Sequence, residues 1–129
     1  MTFRTTAVIT AIVTFILGAG FLLATRLMVA RWQIDPTDSV LLFGRRIGAI
    51  YLGLAVMFFL ARGAAATVER RALSAGAAVV CSMLAALGVY EFSAGHAGRG
   101  ILVSVAVESL LTLAYIRLLV VWREHGPRA

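Results

Sequence analysis

The stretch TAVITAIVTFILGAGFLLAT, residues 6–25, holds no charged side chain. Its length is about that of a helix crossing the hydrocarbon core of a bilayer. Comparable apolar stretches follow at 40–61, 72–92 and 101–121, and the connections 26–39, 62–71 and 93–100 are too short to fold by themselves. The sequence therefore predicts an all-α polytopic integral membrane protein, a four-transmembrane-helix bundle that forms one domain over residues 1–129.

The composition indicates the same class. Hydrophobic residues make up 61% of the chain and charged residues 14%, whereas ordinary soluble domains have roughly 45–50% and 25%. Helices that are apolar all round must be surrounded by lipid or protein. No alternating strand pattern of the membrane-barrel type occurs. We therefore expect the lipid bilayer to be the chain's principal partner.

The basic residues are unusual in kind. All 12 are arginine, which gives a net charge of +6, and the chain contains neither lysine nor asparagine. The codons of these two missing residues are A-rich, so their absence indicates a GC-rich, bacterial genome. The arginines are dispersed at helix ends instead of lining one face, which argues against nucleic-acid binding. They are typical of anchors at a membrane interface.

Arginine placement predicts the orientation of the chain. With four spans, both termini lie on one side, and positively charged connections tend to stay in the cytoplasm. One side of the membrane would carry seven arginines: Arg4, Arg62, Arg70, Arg71, Arg117, Arg123 and Arg128. The other would carry five: Arg26, Arg31, Arg45, Arg46 and Arg99. We therefore expect a bacterial inner (plasma) membrane protein with both termini in the cytoplasm, while so small a bias leaves dual or inverted topology open.

Small residues at four-residue spacing predict where helices approach one another. Gly44 and Gly48 form a GxxxG pair on the second span, and Ala49 and Gly53 repeat that spacing one residue further on. The first span has a matching stripe of small and hydroxylated residues that ends at Gly18. Together these faces favour a tight left-handed bundle.

Glu108 is the ionisable residue that most needs an explanation. It lies seven residues into the fourth span, roughly 10 Å from the span's outer end, where a charge is costly unless it is paired, protonated or hydrated. Ser104, Thr112 and Tyr115 share its helix face.

Arg46, with Arg45 as the second choice, lies at a similar depth on the second span and shares a face with Ala49 and Gly53. We therefore expect a structural ion pair between Glu108 and Arg46 that fixes helix register. The alternative is a ligand or proton site.

A family resemblance rests on Arg46-Ile47-Gly48-Ala49-Ile50-Tyr51-Leu52-Gly53, on Leu60-Ala61-Arg62 at the end of the second span, and on the position of Glu108. These residues resemble those of the DoxX-like superfamily of small bacterial membrane proteins, loosely over helices two to four. The resemblance implies a four-helix inner-membrane protein, with some relatives in redox or oxidative-stress complexes. It carries over no catalytic residue.

Function is less determined than class. No nucleophile–base pair, metal-ligand cluster or cofactor motif is recognisable, and the lone Cys81 has no second thiol to pair with. The sequence therefore favours a non-enzymatic subunit or scaffold that binds a membrane-protein partner or its own copies, with no cofactor and no metal. The alternative is a carrier or binding protein for a small or lipophilic molecule, with Glu108, Arg46, Tyr115 and Thr14 around its pocket. An enzyme is the third choice.

Overall fold

The computed structural model describes residues 2–125, with side chains for residues 2–121. These residues form five helices: α1 Phe3–Leu23, α2 Thr25–Arg31, α3 Asp38–Ala61, α4 Val68–Ser93 and α5 Ile101–His125. The all-helical prediction is confirmed. Four of the helices are long and apolar enough to cross a membrane: Phe3–Leu23, Asp38–Ala61, Val68–Ser93 and Ile101–Val121.

The short helix α2 is a departure from the sequence prediction, which treated residues 26–39 as a connection. The chain leaves α1 at Ala24, whose φ is −134°, and becomes helical again at once. The Thr25 hydroxyl donates to the Phe21 carbonyl across this break, so backbone groups at the end of α1 keep a local partner. Helix α3 then begins after Thr37, whose hydroxyl accepts a hydrogen bond from the Val40 amide at 3.4 Å.

The long helices pack as two pairs. Helix α1 lies along α3 and α4 lies along α5, whereas α1 and α5 touch over a much smaller area. In the first pair, a Cβ on Gly48 would lie 2.8 Å from the Leu22 amide nitrogen and 2.9 Å from the Gly18 carbonyl oxygen. Only glycine permits that approach, so the predicted helix face at Gly44 and Gly48 is confirmed, with α1 as its partner.

The two pairs meet at both ends of the bundle. At the end that holds the start of α1, which we call the closed end, Phe3, Phe58 and Tyr115 belong to a buried apolar cluster. At the opposite end, which we call the loop end, the Gly98 amide donates to the Trp32 carbonyl at 2.7 Å. Midway between these contacts the pairs separate.

The outer surface of the bundle is apolar. Large hydrophobic side chains such as Phe43, Leu60, Met83 and Leu110 are exposed along the helices. In the most apolar 18-residue stretch of α5, between Ile101 and Val121, only 17% of the residues are buried inside the protein. Such a surface is typical of helices that lie against lipid or another protein.

Two of the arginines used to predict the orientation are not fully covered by the described residues. Met1 and residues 126–129, including Arg128, are outside the described residues, and so is the side chain of Arg123. The start of α1, at Phe3, and the second half of α5, at Leu118 and Leu119, lie together at the closed end. An even number of spans would place both termini on one side in this way.

Candidate functional site

A cleft of about 490 Å³ occupies the space where the two helix pairs separate. All four long helices line it, and most of the lining side chains are aliphatic or aromatic. Side chains with oxygen or sulfur groups that can hydrogen-bond interrupt this apolar wall at Thr10, Thr14, Tyr51, Cys81, Ser104 and Glu108. A space of this size with a few polar groups is typical of a small-molecule site, for which roughly 300–1,000 Å³ is usual.

Glu108 lines this cleft without a partner. Its side chain is half-buried, and no charged side chain other than its own lines the cleft among residues 2–121. At the loop end, away from the cleft, His96 Nδ1 lies 2.8 Å from Glu91 Oε2. The Glu108 carboxyl group forms neither an ion pair nor a hydrogen bond with any described residue.

The predicted ion pair between Glu108 and Arg46 is therefore absent from the described contacts, and Arg45 does not replace Arg46 in it. Both arginines are exposed. The reason is the face of α3 that packs. Gly48 points at α1, and Gly44 points at Phe21 of α1 and Thr25 of α2. Arg46 lies about 200° around the helix from Gly44.

The small residues used to choose Arg46 face outward as well. Ala49 is exposed, and a Cβ on Gly53 would have nothing within 4 Å.

The other predicted site residues divide into two groups. Thr14 and Ser104 line the cleft together with Glu108, as the pocket alternative expected. Thr112 does not line it. Its hydroxyl donates to the backbone carbonyl of Glu108 at 2.8 Å, a common local bond of helical threonine. Tyr115 lies below the cleft and is fully buried.

Tyr115 closes the floor of the cleft through a hydrogen bond between the helix pairs. Its hydroxyl lies 2.8 Å from Thr10 Oγ1. The Thr10 hydroxyl donates to the Thr6 carbonyl at 2.9 Å, so its one proton is used and Tyr115 must be the donor. The Phe58 ring packs beside the Tyr115 ring, with centroids 6.0 Å apart.

The sequence reasoning missed Tyr51 and gave Cys81 only a packing role, although both line the cleft. A signal for Tyr51 was present. It stands seven residues after Gly44 and seven before Phe58, the spacing that keeps residues on one helix face. Its ring stacks on that of Phe21, with centroids 6.5 Å apart. Cys81 offered no comparable signal, because small residues occur on every face of α4.

The cleft reaches the outer surface between the helices. Ile16, Val80 and Val103 line it and are also 63%, 50% and 70% exposed. Ile16 and Val80 lie well inside α1 and α4, whereas Val103 lies in the first turn of α5, so the opening extends along the side of the bundle. A molecule can therefore enter laterally, from whatever surrounds the apolar surface.

Within the part of the chain that the structure describes, no group of three or more His, Cys, Asp or Glu side chains could hold a metal ion. Glu108 and Cys81 both line the cleft, but two such groups do not form the ligand set of a usual zinc site. The groups that line the cleft are apolar side chains, hydroxyl groups, the Cys81 thiol and the Glu108 carboxyl group.

A scan against protein-family models found no match to this chain. Searches of the curated proteins and of the solved structures also found no match. The resemblance to the DoxX-like superfamily stays a prediction, and the interpretation of the cleft rests on its own residues.

Proposed function

We propose that this chain is a multi-pass protein of the bacterial inner membrane that binds a small lipophilic molecule in the cleft, with Glu108 contacting a polar group of that molecule. Both termini face the cytoplasm in this proposal. One observation carries it: Glu108 lines a space of about 490 Å³ and has no partner among the described residues.

Whether Glu108 is paired distinguishes a binding protein from a purely structural one. A paired carboxylate in a dry contact would have favoured a scaffold, because an ion pair of that kind fixes how helices pack. An ionisable group inside a membrane span is costly, and those that occur usually mark ligand or ion sites. The unpaired carboxyl group beside an open cleft therefore favours a binding protein over a scaffold.

Cys81 provides a direct test, since it is the single cysteine of the chain and lines the cleft. The purified full-length protein in lipid nanodiscs would be treated with methyl methanethiosulfonate, and modification of Cys81 would be followed by intact mass spectrometry. Naphthylmethanol and naphthylmethylamine serve as probes. If the cleft binds such molecules, at least one of the two should slow the modification in a saturable way.

Two glycines offer a matched pair of control variants. Gly76 lines the cleft and Gly53 does not, and a Cβ on either would have nothing within 4 Å. Gly76→Leu should fill the cleft and abolish protection by the probe, whereas Gly53→Leu should leave it unchanged. If neither probe protects Cys81, or if Gly76→Leu is protected as well as the unmodified chain, the proposal is wrong.

A second candidate function is that of a membrane subunit, as the DoxX-like resemblance also implies. It is favoured by the exposed face of α3 at Ala49 and Gly53, where another helix could approach closely. Purification in a mild detergent from the native membrane tests it. A stoichiometric protein partner that Gly53→Leu removes would support this function, and an unaccompanied monomer would contradict it.

A further inference from the structure

We propose that the ligand of the cleft is a lipophilic monocation, an apolar body with one ammonium group, and that Glu108 is its counter-ion. This inference rests on the proposed function, because it names the chemical class of molecule that the cleft takes. The juxtaposition that carries it is one carboxyl group without a cation in an apolar space that opens sideways.

The charge of the cleft favours a cation. Glu108 is the one ionisable carboxyl side chain that lines it among the described residues, and the two arginines that the sequence suggested as its cation, Arg45 and Arg46, are exposed on α3. A carboxylate held away from water is stabilised by a cation at short range. An ionised Glu108 would repel an anionic ligand, and a neutral ligand would leave its charge uncompensated.

Tyr51 and Ser104 can donate as well as accept hydrogen bonds in the cleft, but the threonine hydroxyls and an ionised Glu108 can only accept, which favours a ligand with N–H donors. The Thr14 hydroxyl donates to the Thr10 carbonyl at 2.7 Å, and the Thr10 hydroxyl donates to the Thr6 carbonyl. Their protons are therefore used, and Thr14 Oγ1 can only accept a bond from a ligand. An ionised Glu108 can also only accept. An ammonium group has N–H donors to satisfy several acceptors and accepts none.

The walls supply the remaining contacts. Tyr51 and Phe58 present aromatic rings to the cleft, and aliphatic side chains such as Leu54 and Val107 cover most of the rest. A cation within about 6 Å of an aromatic ring gains further attraction. The apolar body of the ligand would be buried against the aliphatic side chains. The lateral opening at Ile16 and Val103 gives such a molecule access from the bilayer.

The test uses three probes of nearly equal shape that differ in charge: naphthylmethylamine, a cation at neutral pH, naphthylmethanol, which is neutral, and naphthoate, an anion. Protection of Cys81 is measured for each on the unmodified chain, on Glu108→Gln, and on Glu69→Gln as a control. Glu69 is an exposed carboxylate at the start of α4 that does not line the cleft. Each protection is expressed against the unprotected rate of the same variant.

We expect the amine to protect at a concentration at least about tenfold lower than the alcohol, which corresponds to about 1.4 kcal/mol, and naphthoate to give no protection. Glu108→Gln should remove the preference for the amine and keep protection by the alcohol. Glu69→Gln should keep the preference, and Glu108→Asp should retain most of it. If Glu108 had only a structural role, Glu108→Gln would reduce the protection of Cys81 by both probes to the same degree.

The outcomes separate this inference from the proposed function. If the alcohol protects as well as the amine, or if Glu108→Gln keeps the preference, the cleft binds lipophilic molecules but the cation inference is overturned. If no probe protects, both proposals fail. If neither probe protects Cys81 in Glu108→Gln, the test rests on the two probes measured on the unmodified chain. The inference is then overturned unless the amine protects that chain at a concentration at least about tenfold lower than the alcohol.

Discussion

The hydrogen bond between Tyr115 and Thr10 should stabilise the contact between the two helix pairs, and its loss should lower the free energy of unfolding. Tyr115 is 0% exposed and Thr10 is 3% exposed, and their hydroxyl oxygens lie 2.8 Å apart. Tyr115→Phe keeps the ring against Phe58 and removes only the donor. Thr10→Val keeps the volume and removes the acceptor. A double-mutant cycle on these two substitutions isolates the bond.

The geometry predicts unequal single effects. After Tyr115→Phe, Thr10 still donates to the Thr6 carbonyl, so little is left unsatisfied and the free energy of unfolding should fall by about 1 kcal/mol. After Thr10→Val, the Tyr115 hydroxyl is buried without an acceptor, and the loss should be about 1–3 kcal/mol. Hydrogen bonds between membrane helices average about 0.6 kcal/mol and reach about 1.7 kcal/mol. Because both groups are fully buried, we expect a coupling of about 1 kcal/mol.

The measurement is reversible unfolding of the purified protein by sodium dodecyl sulfate in mixed micelles, followed by far-ultraviolet circular dichroism. The double variant should lose less than the sum of the two single variants. Strict additivity would show that the bond does not form. A larger loss for Tyr115→Phe than for Thr10→Val would contradict the assignment of Tyr115 as the donor.

Three further predictions use the same preparations or cells. Gly48→Leu should destabilise the protein by more than about 2 kcal/mol, because its side chain has no room against α1, whereas Gly53→Leu should not lower the free energy of unfolding, because the site has open space and glycine is a poor helix former. Glu108→Gln and Arg46→Met should have additive effects on unfolding, because the two side chains form no ion pair; a coupling above about 0.5 kcal/mol would contradict the structure. Reporter fusions at the C-terminus and in the α4–α5 connection should give opposite signals, with the C-terminal reporter cytoplasmic; the reverse pattern would refute the orientation expected from the arginines.

The fold class and one helix-packing face were accessible to sequence reasoning. Four long apolar stretches are a strong signal because the length of a spanning helix is set by the bilayer, and the all-helical class follows from them. The glycine pair at Gly44 and Gly48 also identified its packing face correctly, because close approach of helices demands small residues. The DoxX-like resemblance rests on short apolar patterns and stays a prediction.

The candidate site was only half accessible. Glu108 was recognisable because a carboxyl group inside an apolar span is costly wherever it points, and Ser104 and Thr14 were named with it. The structure shows no ion pair between Glu108 and the partner predicted for it, Arg46. Depth along a helix follows from counting residues, but the face that packs depends on which stripe finds a neighbour. On α3 two small-residue stripes were available, and the choice between them fixed where Arg46 points.

The sequence by itself determined the number of long helices, their apolar surfaces, and the presence of a carboxyl group within one of them, because these depend on the composition and order of single segments. Only the tertiary structure decided that α1 joins α3 and α4 joins α5, that the pairs meet at both ends, and that a cleft remains between them beside Glu108. The physical reason is that a cleft belongs to no segment. It is the space left when helices pack through their small faces and bulkier faces are held apart, which local sequence patterns do not specify.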